Sequence, residues 1–226
     1  MKKPGAWSFS SIKLYDTCPR KYEAEKITKE VVFTDTEATL YGKELHTAAE
    51  EYVRDDKPLL PKFSHIQSYL DSLKRFPGDK HCELKMGLKK EDGKLVACDF
   101  FDKDVWFRGI ADLIIINDST GWVLDYKTGK SSRYADIKQL ALMAACMFAK
   151  FPQLEKVKAM LWFIVPNDRI QSVYTRDEAF TIFSDLHGIL AQREMSYETG
   201  VFNPKPNGLC GKWCEALSCE HNGRNR

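Results

Sequence analysis

The sequence predicts an α/β (α+β) protein in which helices flank a mixed central β-sheet. Two observations support this class. Residues 1–78 repeat their apolar positions at helical spacing, whereas residues 79–199 alternate between strand-like and helix-like patterns. The tail, 200–226, is rich in Pro, Gly, Asn and Cys, so it is predicted to be irregular. We expect the chain, 226 residues long, to form one domain from these three parts.

The first part is predicted to contain three helices. The first follows the capping residue Ser8 and is interrupted at Cys18-Pro19, because a residue before proline avoids the helical conformation. It resumes over Tyr22–Ile27. A second helix begins at Asp35 and continues through Tyr52, and a third lies near Ile66–Leu73.

Two hairpins are predicted next, and a helix, two strands and a further helix follow them. Both faces of the second hairpin are apolar, so its strands should be covered on both sides. The hairpin strands are Glu83–Lys90 with Leu95–Phe101, and Val105–Ile116 with Trp122–Thr128. The later elements are helix Tyr134–Phe151, strands Val157–Val165 and Ile170–Tyr174, and helix Asp177–Tyr197.

Composition restricts the possible partners and location. Lys plus Arg number 34 and Asp plus Glu 32, so a polyanion would have to be held by a local patch or by metal ions. The longest apolar run, Leu140–Ala149, is ten residues and too short to cross a bilayer. The first residues lack the pattern of a secretory signal. We therefore expect a cytoplasmic protein without a membrane partner.

Three charged residues lie within otherwise apolar strands of the second hairpin: Asp112, Asp125 and Lys127. Buried charges are costly without partners. A turn symmetric about Ser119-Thr120 would place Asp112 across from Lys127, with Asp125 on the same face. Two carboxylates beside an ammonium suit a hard divalent cation and a phosphate. A structural Asp–Lys ion pair is the alternative, but it leaves the second aspartate unexplained.

Asp112 followed by Asp125-Tyr126-Lys127 resembles the PD-(D/E)XK nuclease superfamily. Other residues are similar to its RecB/AddB-like branch, which includes CRISPR-associated RecB-family exonucleases and small phage exonucleases. These are Gly42-x3-His46 on the second helix and Gln139 in the helix after the lysine strand. The resemblance extends over nearly the whole chain in the expected order.

The resemblance implies a restriction-endonuclease-like core at 79–199, with a Mg²⁺ or Mn²⁺ cofactor. It implies that the metal is held by His46, Asp112, Asp125 and the backbone carbonyl of Tyr126. It implies catalytic roles for Asp112, Asp125, Lys127 and Gln139, with Lys127 positioning or deprotonating the water. An imidazole ligand shifts the preference toward Mn²⁺.

Other residues near the predicted site give weaker indications of function. Glu83 resembles an acidic residue that some relatives place beside the metal, and an exposed strand residue is the alternative. The family pattern Q-x3-Y has Met143 in the tyrosine position, so substrate preference does not transfer. Gln139 is expected to bond Lys127 or a DNA phosphate. A basic run beside the site is predicted to bind nucleic acid: Lys130, Arg133 and Lys138.

The cysteines suggest a second, structural centre. Cys18 with Cys210-x3-Cys214-x4-Cys219 resembles the arrangement that holds a 4Fe-4S cluster in this branch, and would tie the tail back to the N-terminal part. A zinc site formed by the three late cysteines and His221 is an alternative. Free thiols are a third.

The sequence therefore predicts a metal-dependent DNA nuclease, an exonuclease that hydrolyses DNA ends in replication, recombination or repair, with a phage genome as one setting. Its partner would be DNA that is single-stranded or has accessible ends. The alternatives are a DNA-binding scaffold with a vestigial nuclease site and a cysteine hydrolase. Nothing in the sequence resembles the nucleophile motif that the latter needs.

Overall fold

The computed structural model describes residues 4–133 and 135–225. The chain divides into two compact units. One unit comprises the part up to Thr34 together with the part from Phe183 onward, and the other extends from Asp35 to Ile182. The expectation that the whole chain forms one domain stays a prediction.

Helices and strands follow the predicted order. The helices are α1 (Phe9–Thr17), α2 (Pro19–Tyr22), α3 (Glu37–Asp55), α4 (Gln67–Arg75), α5 (Lys138–Lys150), α6 (Arg176–Asp185) and α7 (His187–Thr199). The strands are β1 (Asp79–Glu91), β2 (Lys94–Cys98), β3 (Phe107–Asn117), β4 (Thr120–Lys127), β5 (Lys156–Phe163) and β6 (Asp168–Tyr174). Short π or 3₁₀ turns lie at Glu23–Ile27, Pro61–Ile66, Gly208–Gly211 and Gly223–Asn225.

The larger unit contains a six-stranded mixed sheet in the order β2-β1-β3-β4-β5-β6. Only β4 and β5 are parallel neighbours; the other adjacent strands are antiparallel. Along α5 every residue from Gln139 to Phe148 is buried, as expected for a helix packed on a sheet. The predicted fold class, helices around a mixed sheet, is confirmed.

The apolar residues of α3 and α4 form a core with the sheet. Leu45 and Leu70 are fully buried in the same cluster as Leu113 and Ile115 of β3. On the other side, Gly109 of β3 lies against Met143 of α5. The central strands are therefore covered on both faces, as their continuous apolar sequence predicts.

The register of the β3–β4 hairpin differs from the prediction by two residues. Asn117 pairs with Thr120 and Leu113 with Leu124, and continuing this register places Asp112 opposite Asp125 rather than opposite Lys127. The turn is tighter than expected because Asp118 has a φ of +51°, the left-handed conformation that two-residue hairpin turns require. A shift of two residues preserves the alternation of side chains, whereas a shift of one would reverse it.

Two helix predictions need correction. The helix expected over Asp177–Tyr197 is interrupted at Leu186, where ψ is close to zero, and forms α6 and α7. Gly188, a poor helix former, lies in the first turn after this interruption. Helix α5 begins at Lys138 rather than at Tyr134, which lies outside the described residues.

In the smaller unit the irregular tail lies against α1. The side-chain amide of Asn207 donates to the carbonyl of Thr17 at 3.2 Å. A capping box at Ser8 begins α1, and the helix ends at Cys18 before Pro19, as predicted. Within the described ranges, no helix is both long and apolar enough to cross a membrane.

Candidate active site

The carboxylate of Asp125 on β4 contacts two side chains, one through each of its oxygens. The carboxylate is buried, and Gln139 Nε2 of α5 donates to its Oδ1 at 2.6 Å. Its Oδ2 forms an ion pair with Lys127 Nζ. Gln139 was expected to bond Lys127 or a DNA phosphate; in the structure its amide bonds Asp125, the ion-pair partner of Lys127, and the phosphate contact stays a prediction. Because α5 packs directly on the sheet, the side-chain amide of Gln139 lies within hydrogen-bonding distance of the Asp125 carboxylate.

A second group of side chains gathers around Asp112. His46 Nδ1 lies 3.3 Å from Asp112 Oδ1, and the backbone N–H of Tyr126 donates to Asp112 Oδ2 at 2.5 Å. Ligand atoms of His46, Glu83 and Asp112 all lie within 4.8 Å of one another. Asp125 is not part of this group; its oxygens contact Gln139 and Lys127. The structure thus brings Glu83, which the sequence left ambiguous, to the position where the sequence placed a metal.

Glu83 reaches this position through an interruption of the β1–β3 ladder. Cys82 pairs with Leu113 and Leu84 with Ala111, but no pairing joins Glu83 to Asp112 between them. Glu83 has a φ of +48°, a conformation that costs a non-glycine residue energy and that is concentrated at functional sites. The only sequence signal was its place on the strand next to Asp112.

The interruption changes which face the side chains of β3 point to. Leu113 packs with α3 and α4, whereas Gly109 lies against Met143 and Cys146 of α5. Strict alternation would put Leu113 and Gly109 on the same face, because they are four residues apart. The alternation of side chains between the two faces of β3 is therefore interrupted between Gly109 and Leu113, near Asp112 and its neighbour Glu83.

Gly42 explains how α3 comes close enough for His46 to reach the sheet. A Cβ atom at Gly42 would lie 3.1 Å from Thr128 Oγ1, which follows β4 directly. Glycine therefore permits the close approach of helix to strand end. One turn further along α3, the ring of His46 packs edge-on against Tyr126, with ring centroids 5.9 Å apart.

The site carries an excess of negative charge. Burial and the charge of Asp112 raise the pKa of Asp125 above its usual value, although Lys127 opposes this shift. Burial, Asp112 and Glu50 likewise raise the pKa of Glu83. Burial alone would lower the pKa of His46, but the hydrogen bond and charge of Asp112 outweigh it and raise that pKa. Carboxylates crowded in this way are stabilised by a cation.

The donor set fits a divalent metal ion. Two carboxylates and one imidazole nitrogen are hard and intermediate ligands, a combination that suits Mn²⁺ and Mg²⁺ better than soft metals. His46, Glu83 and Asp112 would hold the ion. The predicted contributions of Asp125 and of the Tyr126 carbonyl to the ligand set stay predictions.

An open cleft of about 1220 Å³ extends from His46 and Glu83. Lys130 lines it, as do Lys43 and Lys85, which the sequence did not single out. The other members of the predicted basic run, Arg133 and Lys138, are exposed but do not line the cleft. Their role in binding nucleic acid stays a prediction.

The late cysteines and His221 do not form the zinc site that the sequence offered as an alternative. A zinc ion with Zn–S bonds of about 2.3 Å needs its sulfurs about 4 Å apart. Among the described residues, no three cysteine or histidine ligands of the tail lie within 4.8 Å of one another, so the zinc site with His221 is not formed and the cysteines are not clustered around one ion. The expected cysteines Cys18, Cys210, Cys214 and Cys219 do line one small pocket of the smaller unit.

The mixed sheet, the Asp125–Lys127 pair and the His46–Glu83–Asp112 group are the arrangement expected of a restriction-endonuclease-like fold. The sequence model of the PD-(D/E)XK nuclease superfamily matches residues 6–219, so the chain belongs to this superfamily. The expected family is thereby confirmed; the RecB/AddB-like branch within it stays a prediction.

Two solved structures resemble this chain at low sequence identity, and the one with the higher TM-score supports the fold. A candidate exonuclease from Eubacterium rectale is 14% identical with a TM-score of 0.53, over 98% of this chain and 88% of that protein. The protein SSO0001 is 18% identical with a TM-score of 0.44, over 98% of this chain and 89% of that one. Comparison with curated protein sequences found no significant match.

Proposed function

We propose that this protein is a divalent-metal-dependent deoxyribonuclease that hydrolyses DNA from its ends in replication, recombination or repair. The observation that carries the proposal is the Asp125–Lys127 pair on β4, the strand next to β3, which carries Asp112 of the His46–Glu83–Asp112 group. Membership in a nuclease superfamily supports phosphodiester hydrolysis. The name of the Eubacterium rectale protein is consistent with action at ends.

Each residue of the site has a role in this proposal. The bound metal ion would supply Lewis acidity toward the scissile phosphate and the attacking water. Lys127, held by Asp125, would orient the water and offset the charge that develops on the phosphate. Gln139 fixes the orientation of Asp125 and so acts as a positioning residue.

A cleavage assay tests the activity. End-labelled DNA is incubated with the protein in Mn²⁺ or Mg²⁺, with EDTA as the metal-free control. Lys127→Ala is expected to lower the cleavage rate roughly 100-fold or more, in line with loss of a group that acts on a proton or on developing charge. Lys156→Ala, an exposed lysine at the start of β5, is the matched control and should cleave normally.

The same assay separates the alternatives. DNA binding without cleavage in any divalent metal would contradict the nuclease proposal and support the scaffold with a vestigial site. Cleavage that survives EDTA but is lost after thiol alkylation would support the cysteine hydrolase instead.

A second substrate pair tests action at ends. Linear DNA and covalently closed circular DNA of the same sequence are compared under identical metal conditions. The proposal expects degradation of the linear form and an intact circle. Equal cleavage of both forms would show an endonuclease.

For the cysteine pocket we propose an iron–sulfur cluster. Its support is that all four predicted cysteines line one pocket, and four thiolates are the usual ligand set of such a cluster. Anaerobically purified protein would show visible sulfur-to-iron absorption and iron on elemental analysis, both lost in Cys214→Ser. Zinc without iron, or no metal, would overturn this proposal.

A further inference from the structure

Two phenylalanines and two basic residues form a surface strip next to the active-site cleft. It consists of Lys85 on β1, Arg108 and Ile110 on β3, and Phe100 and Phe101 in the loop after β2. We call these residues the aromatic strip. We propose that the aromatic strip binds the unpaired strand of single-stranded DNA and guides it to the metal group, an inference that rests on the proposed nuclease function.

Strand geometry places the strip on the same face as the site. Gly109 faces α5, so its neighbours Arg108 and Ile110 face the opposite side of the sheet. Lys85 lies two residues beyond Glu83 on β1, pairs with Ile110, and lines the cleft together with His46. From Asp112 to Arg108 the strand advances about 13 Å at ~3.3 Å per residue. The strip is thus continuous with the metal group.

The loop that carries the two rings is fixed to the sheet. Gly87 leaves room for it: a Cβ there would lie 2.8 Å from the backbone oxygen of Asp99. Asp99 then accepts a hydrogen bond from the backbone of Phe101 at 2.7 Å through its side chain. The two rings pack edge to face with centroids 5.1 Å apart, so the loop presents them in one arrangement.

Phe101 is exposed and Phe100 is half-buried, and the cations beside them have no acidic partner among the described residues. Phe101 is 70% exposed, a large value for an aromatic ring on an ordered loop. Arg108 lies 5.2 Å from the centroid of Phe100, and Lys85 lies 5.6 Å from that of Phe101. Within the described ranges neither cation forms an ion pair with a carboxylate. Their charge is therefore available to a phosphate.

This combination matches the chemistry of an unpaired DNA strand. Proteins bind single strands with basic side chains that follow the backbone and aromatic rings on which bases stack. A duplex keeps its bases stacked on each other, so it can use the cations but not the exposed face of Phe101. The strip therefore favours single-stranded over duplex DNA.

Binding measurements test the strip apart from catalysis. Fluorescence anisotropy is recorded with a labelled single strand and with the corresponding blunt duplex, in Mn²⁺, on the cleavage-impaired Lys127→Ala background. Phe101→Ala is expected to weaken single-strand binding about tenfold, the size of one lost stacking interaction. Duplex binding should change less than twofold. Lys85→Gln should weaken both substrates.

Val173→Ala is the matched control, because Val173 is exposed on β6, at the opposite edge of the sheet from β2. Unchanged single-strand binding in both Phe101→Ala and Lys85→Gln would overturn the proposal. Equal losses for single strand and duplex in Phe101→Ala, or the same loss in Val173→Ala, would also overturn it. Absence of cleavage by the unsubstituted protein would instead defeat the nuclease proposal and leave these binding results interpretable.

Discussion

Gly42 of α3 lies directly against Thr128, the residue that follows β4, and a Cβ atom at Gly42 would approach Thr128 Oγ1 to 3.1 Å. This contact sets the distance between the helix that carries His46 and the strand that carries Asp125 and Lys127. The spacing of Gly42 and His46, one helical turn apart, therefore has a physical basis: the glycine permits the approach that the histidine uses.

Widening this contact should weaken metal binding. In Gly42→Val, the added side chain would push α3 away from β4 and withdraw His46 from Asp112. We expect Mn²⁺ affinity, measured by isothermal titration calorimetry, to fall about tenfold or more. Gly42→Ala should have a smaller effect, and adding Thr128→Ala should restore its affinity. If Gly42→Val binds Mn²⁺ like the unsubstituted protein, the close approach does not position His46.

Replacements of Glu83 should separate its ligand role from its backbone strain. Glu83→Ala and Glu83→Gly both remove a carboxylate, so both should lower Mn²⁺ affinity. Only glycine accommodates a φ of +48° without cost, so Glu83→Gly should be more stable than Glu83→Ala by about 1 kcal/mol. Chemical denaturation without metal measures this difference. Equal Mn²⁺ affinity in all three proteins would remove Glu83 from the site.

Gln139→Leu should impair catalysis more than metal binding. Leucine keeps the buried position filled but removes the donor to Asp125 Oδ1, so the carboxylate that holds Lys127 loses its orientation. We expect the cleavage rate at saturating DNA to fall about tenfold, with Mn²⁺ affinity unchanged, since Gln139 does not contact the His46–Glu83–Asp112 group. Parallel losses of rate and affinity would point to a general disturbance of the site.

Arg193 in the smaller unit offers a test of stability. The residue is buried, stacks on Trp7 with 4.1 Å between guanidinium and ring centroid, and donates to the hydroxyl of Tyr22 at 3.0 Å. Arg193→Ala would leave a cavity and unpaired polar groups, at a cost of about 3 kcal/mol. Urea denaturation gives the change. Arg193→Lys, which keeps the charge but not the planar stacking, should recover only part of the stability.

The amino-acid sequence by itself determined where most helices and strands lie, because the period of apolar residues and signals such as Ser8 and Cys18-Pro19 act over a few residues. It also singled out His46, Asp112, Asp125 and Lys127 as candidate site residues. Charges inside apolar strands require partners, and this requirement is visible without coordinates.

Only the tertiary structure decided which of these side chains meet. The left-handed conformation of Asp118 produced a hairpin register that differs by two residues from the predicted one. The packing of α5 on the sheet brought the amide of Gln139 into hydrogen-bonding contact with Asp125. The missing strand pairing at Glu83 brought a third carboxylate to the site, beside those of Asp112 and Asp125. Such choices depend on single backbone torsions and on contacts between residues far apart in the chain, neither of which leaves a periodic trace in the sequence.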